Sequence, residues 1–247
     1  MLNKGEKGEI AIIKKLFLHR NDRSFVHKHF GYNSCIELMH PWQYDKWITH
    51  GFSCITRMDD IQKAGGLFKA DIVVIFHNTG IIESIKRISI KCFDGGAPTI
   101  LNHTPRISKC WRRLAPPDAI VAKMNRMRSS GEAGEDIPLA RLNLDVLELE
   151  NLKKIITYFV SRGTGARFSK VPCASILYSK NNEITHFYPS VSEYVEDLIV
   201  SQKLILSIRS KKGLEKAILK DEKWLFREPG GGKPKGLLNI RLTTSIL

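Results

Sequence analysis

Cysteine is scarce in this chain. There are five, at positions 35, 54, 92, 110 and 173, odd in number, widely spaced and without a CxxC pair. That spacing argues against a disulfide framework and against a structural zinc site, and fits reduced thiols. Long apolar runs are missing as well. None approaches the roughly 18 residues that a membrane-spanning helix needs, and the opening MLNKGEKGE lacks the apolar stretch of a secretory leader. The expectation is a cytoplasmic protein with no membrane partner. No internal repeat or low-complexity tract stands out, which leaves a globular body rather than an array. Acidic residues are the remaining shortage: 25 Asp and Glu stand against 39 Lys and Arg, for a net charge of +14 and a pI near 9.6. An excess of that size points to a polyanionic partner. Nucleic acid ranks before an anionic membrane surface, because no basic amphipathic helix carries the charge.

The 247 residues, 43% hydrophobic and 26% charged, suffice for a sizeable core, as one large domain or two closely packed lobes. The stretch 69–93 organises the rest. Asp71 opens the apolar run Ile72-Val73-Val74-Ile75-Phe76, His77-Asn78-Thr79-Gly80 supplies turn chemistry, and a second β-rich run covers 85–93. A hairpin centred on Gly80 pairs residue n with residue 160 − n. Asp71 then lies opposite Ser89, and Lys91 sits one same-face step beyond, because strand side chains alternate between faces. A carboxylate, a hydroxyl and an ammonium meet at one end of an otherwise hydrophobic hairpin, the outline of a metal-and-phosphate site. A second frame, Ser84-Ile85-Lys86, has the same three letters. It would pair Asp71 with Ser84 and centre the turn on His77-Asn78, leaving the Asn78-Thr79-Gly80 signal unused, so the later frame is preferred. Taken alone, an Asp and a Lys at strand ends are also what an ordinary surface hairpin carries.

Residues 4–18 predict a helix, with Ile10, Ile13 and Phe17 on one stripe and Leu16 beside them. Glu9 extends that inward stripe. It is either an N-terminal Glu favoured by the helix dipole or an acid facing the open end of the hairpin, with Glu6 as the fallback. Between 19 and 68, His27-Lys28-His29 reads as solvated or near phosphate, Asp59-Asp60 as a cap or loop acid, and Trp42 and Trp47 as core. After the hairpin, Asp94-Gly95-Gly96-Ala97-Pro98-Thr99 lets backbone approach another chain closely. Arg106, Lys109, Arg112 and Arg113 then cluster around Trp111, followed by Lys123, Arg126 and Arg128. Both clusters are candidates for DNA-backbone contact.

Residues 129–136 read as a flexible connection and 145–160 as an amphipathic helix with Leu149, Leu152, Ile156 and Phe159 along one stripe. A second hairpin, 173–178 with 184–188, turns across Lys180-Asn181-Asn182-Glu183, and Ser190 with Glu193 forms a capping box that opens another helix. Lys233 and Lys235 sit in a Gly- and Pro-rich break before a last strand, 237–242. In it Leu238, Ile240 and Leu242 share one face, and Asn239 and Arg241 the other. Asn and Arg suit bidentate recognition of adenine and guanine in the major groove.

The central hairpin resembles the core of the PD-(D/E)xK nucleases, with Ala70-Asp71 in the "PD" place and Ser89-Ile90-Lys91 in the "(D/E)xK" place. More narrowly, the order resembles the MspI-type restriction endonucleases. In that group a Gly-Gly approach precedes the catalytic Asp, a neutral polar residue stands two before the catalytic Lys, and a Gln-aromatic-Lys recognition strand ends the chain. Ala64-Gly65-Gly66, Asp71, Ser89-Ile90-Lys91 and Asn239-Ile240-Arg241 hold those places here, and Phe76-His77-Asn78 is similar to that group's hairpin. The likeness is clearest over 60–110 and 225–242. Ser89 stands where the group has Asn or Gln, and both members of the terminal pair differ, so the target sequence is not carried over.

The resemblance implies a type II restriction endonuclease with an α/β fold, a mixed sheet flanked by helices, and a C-terminal β-rich recognition lobe. One nuclease domain would cover 1–247, with 1–128 mainly catalytic and 137–247 mainly for DNA recognition. Asp71 and the Ile90 carbonyl would hold Mg²⁺, helped by Ser89, while Lys91 would orient the attacking water and Glu9 would be the third acid. Thr99, Arg106, Lys109, Arg112, Arg113, Lys233, Lys235, Asn239 and Arg241 would contact double-stranded DNA. Action as a monomer on a short palindrome, and pairing with a cognate DNA methyltransferase, belong to the same expectation. Two other classes fit these residues: a structure-specific or repair nuclease of the same fold, and a non-catalytic DNA-binding protein.

Overall fold

The computed structural model describes residues 2–93, 98–102, 120, 122, 123, 126, 136–164, 167–209 and 237–242. The protein is mixed α/β. Its chain divides into two compact units, Met1–Gly96 with Phe168–Tyr194, and Ala97–Arg167 with Val195–Leu247. A catalytic part ending at 128 and a recognition part beginning at 137 do not follow this division, because 97–128 falls in the second unit and 168–194 in the first.

In the first unit, helix α1 (Lys4–Leu18) starts at a capping box. Asn3 Oδ1 accepts from the Glu6 N–H at 2.9 Å, and Glu6 Oε2 accepts from the Asn3 N–H at 2.8 Å. Helix α2 (Arg23–Phe30) is capped by Asp22 and stopped by Gly31 at φ +79°. Strand β1 (Cys35–Met39) and helix α3 (Pro41–His50) follow, then β2 (Ile72–Asn78) and β3 (Ile81–Cys92). With β8 (Ser175–Lys180) and β9 (Glu183–Tyr188) these strands make a five-stranded sheet, ordered β1-β2-β3-β8-β9. Every neighbouring pair is antiparallel except β3 with β8. In sequence, the connection between those two strands covers 93–174 and contains 97–167 of the second unit.

The sheet is covered on both faces. Ile72, Val74, Phe76, Ile88 and Ile90 pack into one core with Ile12, Ile13 and Leu16 of α1 and Val26 and Phe30 of α2. Val73 and Ile75 face the other way, onto Met39, with Tyr44 of α3 and Cys54 against them. Burial of both faces explains why β2 reads as an unbroken apolar run instead of an alternation. Trp42 and Trp47 are not core residues. Both are half-buried: the Trp42 ring stacks on His40 at 4.0 Å, and Trp47 meets Phe52 edge-on at 5.2 Å.

The β2–β3 register follows 160 − n from Ile72↔Ile88 to Phe76↔Ser84. The alternative frame is thereby excluded, since Ser84 faces Phe76 and not Asp71. At the tip the pairing is His77↔Ile82 and Asn78↔Ile81, closed by Thr79 at φ 49° and Gly80 at φ +84°. Positive φ at both loop residues is the geometry of a two-residue hairpin turn. The turn centre therefore lies between Thr79 and Gly80, and Glu83 is an extra residue in a bulge. Ser34 Oγ, fully buried, donates to Glu83 Oε2 at 2.9 Å and holds it there.

In the second unit, β4 (Thr99–Asn102), β5 (Asp136–Pro138), β10 (Leu204–Arg209) and β11 (Leu237–Leu242) form an antiparallel sheet ordered β4-β11-β10-β5. Helix α4 (Val146–Ser161) opens at a second capping box between Asp145 and Glu148 and buries Leu152, Ile155, Ile156 and Phe159. Two-residue strands β6 (Gly163–Thr164) and β7 (Arg167–Phe168) precede β8 in the chain, and helix α5 (Val191–Val200) follows β9. Ser190 Oγ accepts from the Glu193 N–H at 3.1 Å, as the capping pattern predicts. No described helix is long and apolar enough to cross a membrane, and Cys35, Cys54, Cys92 and Cys173 form no disulfide. Cys110 lies outside the described residues.

Candidate active site

The open end of the β2–β3 hairpin brings Asp71, Ser89 and Lys91 together. The Asp71 N–H donates to the Ile88 carbonyl at 2.8 Å, which prolongs the ladder by one residue beyond β2. The Asp71 carboxylate then takes the place of the next ladder partner. Its Oδ2 accepts from the Ile90 N–H at 2.7 Å and from Ser89 Oγ at 3.1 Å. Ser89, 2% exposed, accepts in turn from Lys91 Nζ at 2.8 Å. One hydroxyl donates once and accepts twice, so Ser89 links ammonium to carboxylate without adding charge. Asp71 Oδ1 has no hydrogen bond among the described residues.

The backbone contributes an oxygen at the same place. Within a strand, a residue's N–H and C=O project toward one edge. Since the Ile90 N–H reaches toward Asp71, the Ile90 carbonyl lies along that edge too, beyond Ile72, the first residue of β2.

Glu9 of α1 faces this group. Burial, and then the Asp71 charge, push its carboxyl up to about 7, against the opposing pull of Lys91 and Lys63. It has no hydrogen-bond partner among the described residues. Glu6, the fallback, is used otherwise: it closes the α1 capping box and pairs with Lys63. The inward stripe of α1 thus separates a capping acid from an acid directed at Asp71. A half-buried carboxyl made reluctant to ionise by a neighbouring carboxylate is what a cation would relieve. Among the described residues no three His, Cys, Asp or Glu side chains form a metal-binding group. The available donors are two carboxylates and a carbonyl, all oxygen, which suits a hard ion that keeps most of its water.

Two residues absent from the sequence expectation lie here as well. Lys69 stands two positions before Asp71, in a bend ahead of β2. Burial, and then Lys91, pull its ammonium down to about 8. Cys173 lies beside both lysines, but burial pushes its thiol up to about 11, which makes it an inert packing residue.

The residues expected at DNA divide into two sets. Thr99 is directly opposite Arg241 in the β4–β11 ladder, and Asn239 lies opposite Asn102 on β4 and Ser207 on β10. Asn239 and Arg241 alternate with the buried Ile240 and Leu242. Arg106, Lys109, Arg112, Arg113, Lys233 and Lys235 lie outside the described residues. The chain matches no protein-family model and no curated protein.

Proposed function

We propose that this chain is a Mg²⁺-dependent endonuclease of the PD-(D/E)xK kind acting on double-stranded DNA, with cleavage at a short palindrome as the first reading. The observation that carries it is the Lys91–Ser89–Asp71 chain of contacts at the end of the central hairpin. Asp71 Oδ1, the Ile90 carbonyl and Glu9 would hold Mg²⁺, which supplies Lewis acidity and a bound water of lowered pKa. Lys91, held in place by Ser89, would align the attacking water and donate to a phosphate oxygen as negative charge grows there. Ser89 achieves this while neutral, so Lys91 stays a cation whose hydrogen-bond partner is a hydroxyl. The +14 net charge favours encounter with a polyanion. Asn239 and Arg241 would read base edges, with Thr99 beside Arg241 and the two basic clusters on the backbone. A cell holding such an activity needs its own sites protected, hence the expected partnership with a DNA methyltransferase.

The test is digestion of unmethylated plasmid with and without Mg²⁺, by the wild type and by Lys91→Ala. Discrete fragments that require Mg²⁺ and vanish in the variant, with DNA binding intact, are the expected result. A smear or single nicks would point to a structure-specific nuclease, and binding without cutting to a non-catalytic DNA-binding protein. Cleavage retained by Lys91→Ala refutes the assignment of this site.

A further inference from the structure

We propose that His40 is an acid-released latch: with its ring neutral it ties the segment 55–61 to the start of α3, and a proton on Nδ1 undoes the tie. The proposal stands apart from the nuclease reading. His40 is the N-cap of α3, between the end of β1 and Pro41. Its backbone is fully engaged. The His40 N–H donates to Gln43 Oε1 at 2.8 Å, and the His40 carbonyl accepts from the Gln43 and Tyr44 N–H groups at 3.0 Å each. The ring is 4% exposed and stacks on the Trp42 indole, with 4.0 Å between centroids and 12° between planes.

The two ring nitrogens are used differently. Nε2 lies 3.0 Å from the Asp60 carbonyl oxygen. A carbonyl only accepts, so Nε2 carries the proton and Nδ1 of the neutral ring is a bare acceptor. Nδ1 is buried and has no hydrogen-bond partner among the described residues. A second proton would therefore enter a closed space with no acceptor, at the positive end of a helix. Asp60 is the charged side chain that acts on the ring, and its carboxylate is held by Arg57 Nε at 3.3 Å and Nη2 at 3.2 Å. Trp42 and Gln43 of α3 bring no charge. The indole face favours a cation but supplies no acceptor for the proton. Burial outweighs the pull of Asp60 and holds the ring's pKa below its ordinary 6.5. The folded ring thus binds fewer protons than the released one. The latch is whole above about pH 6.5 and weakens as pH falls through the ring's lower folded value.

The segment it holds is anchored at both ends by core residues. Ile55 and Ile61 are buried beside Ile36 and Leu38, and the Ile55 N–H donates to the Leu38 carbonyl at 2.7 Å. Between them Met58–Asp60 form one 3-10 turn, closed by the Ile61 N–H on the Met58 carbonyl at 3.2 Å. Among the described residues, the bond from His40 is the one hydrogen bond that joins 56–60 to the rest of the chain.

The test is amide hydrogen exchange of the full-length protein at pH 8 and pH 5, each rate divided by the intrinsic rate at that pH. Wild-type amides in 55–61 lose about 10-fold in protection on going to pH 5, the order expected when a buried donor is left unsatisfied. The amides of Ile12 and Ile13 in α1 do not lose theirs. His40→Gln offers an amide N–H to the Asp60 carbonyl and takes up no proton, so its 55–61 protection is the same at both pH values. A wild type that keeps its protection overturns the proposal, as does a loss shared with α1 or equal in the variant. Titration of the His40 ring in the wild type, followed by NMR, needs no folded variant. A pKa below 6.5 is expected, and a value at or above 6.5 overturns the latch.

Discussion

Replacing Glu9 by Gln separates a carboxyl placed for a cation from one placed for folding. In the folded chain this carboxyl is pushed from 4.5 to about 7 by burial and by Asp71. Between those pH values the folded chain keeps a proton that the unfolded chain releases, so the contribution of Glu9 to stability falls as pH rises across that window. Above about 7 the full cost is present, and below about 4.5 there is none. The shift corresponds to at most about 3 kcal/mol. Glu9 is only half-buried, and screening by the solvent it still touches brings the expectation to about 2 kcal/mol. Gln keeps the shape and removes the ionisation. Glu9→Gln should therefore melt about 4–8 °C above the wild type at pH 8 in EDTA, and level with it at pH 4. Adding Mg²⁺ at pH 8 should close most of that gap by raising the wild type alone. Thermal unfolding followed by circular dichroism at pH 4, 6 and 8 measures all three. A variant at or below the wild type at pH 8, or a difference that ignores pH, would refute the reasoning.

Two further substitutions probe the same hairpin. Ser89→Ala removes the acceptor of Lys91 and a donor to Asp71 in a nearly closed environment. It should cost about 1–3 kcal/mol in urea denaturation and, on the nuclease reading, lower cleavage about 10- to 100-fold by loosening Lys91. Unchanged urea midpoints would show that the link contributes nothing to stability. Thr79→Asn addresses the turn, where a β-branched residue sits at φ 49°. Asn tolerates that conformation, so a gain of about 0.5–1 kcal/mol is expected, and a loss would mean that the Thr79 side chain makes a contact the turn depends on.

The central hairpin was legible because each local signal agreed. A buried strand needs an apolar run, the tip needs Gly, and the alternation then carries Asp71 to Ser89 without any long-range knowledge. The inward stripe of α1 singled out Glu9 in the same way. Lys69 was passed over because it lies in a bend before β2 begins, where a lysine ordinarily reads as a solvated end. Its character depends on the segment 169–173, about a hundred residues away in sequence. The parallel β3–β8 pairing was not legible for a related reason: no local pattern specifies which strand completes a crossover as long as 93–174. The two tryptophans misled through size, since a large indole can cover half-exposed surface as readily as it fills a core.

Glu83 gives the hairpin tolerance to changes in length. Its ladder from Asn78↔Ile81 to Ile72↔Ile88 uses every residue from Ile81 to Ile88 except this one. Deleting Glu83 would merge the two halves of the ladder and leave Asp71 opposite Ser89. A deletion at Ile85 or Lys86 could be absorbed by drawing Glu83 into the ladder, at the cost of reversing the few side chains between. One-residue losses in this arm therefore stop short of the site, whereas an insertion would need a second bulge. Sequence drift in the outer arm of β3 can thus change its length without shifting the chemistry at its base.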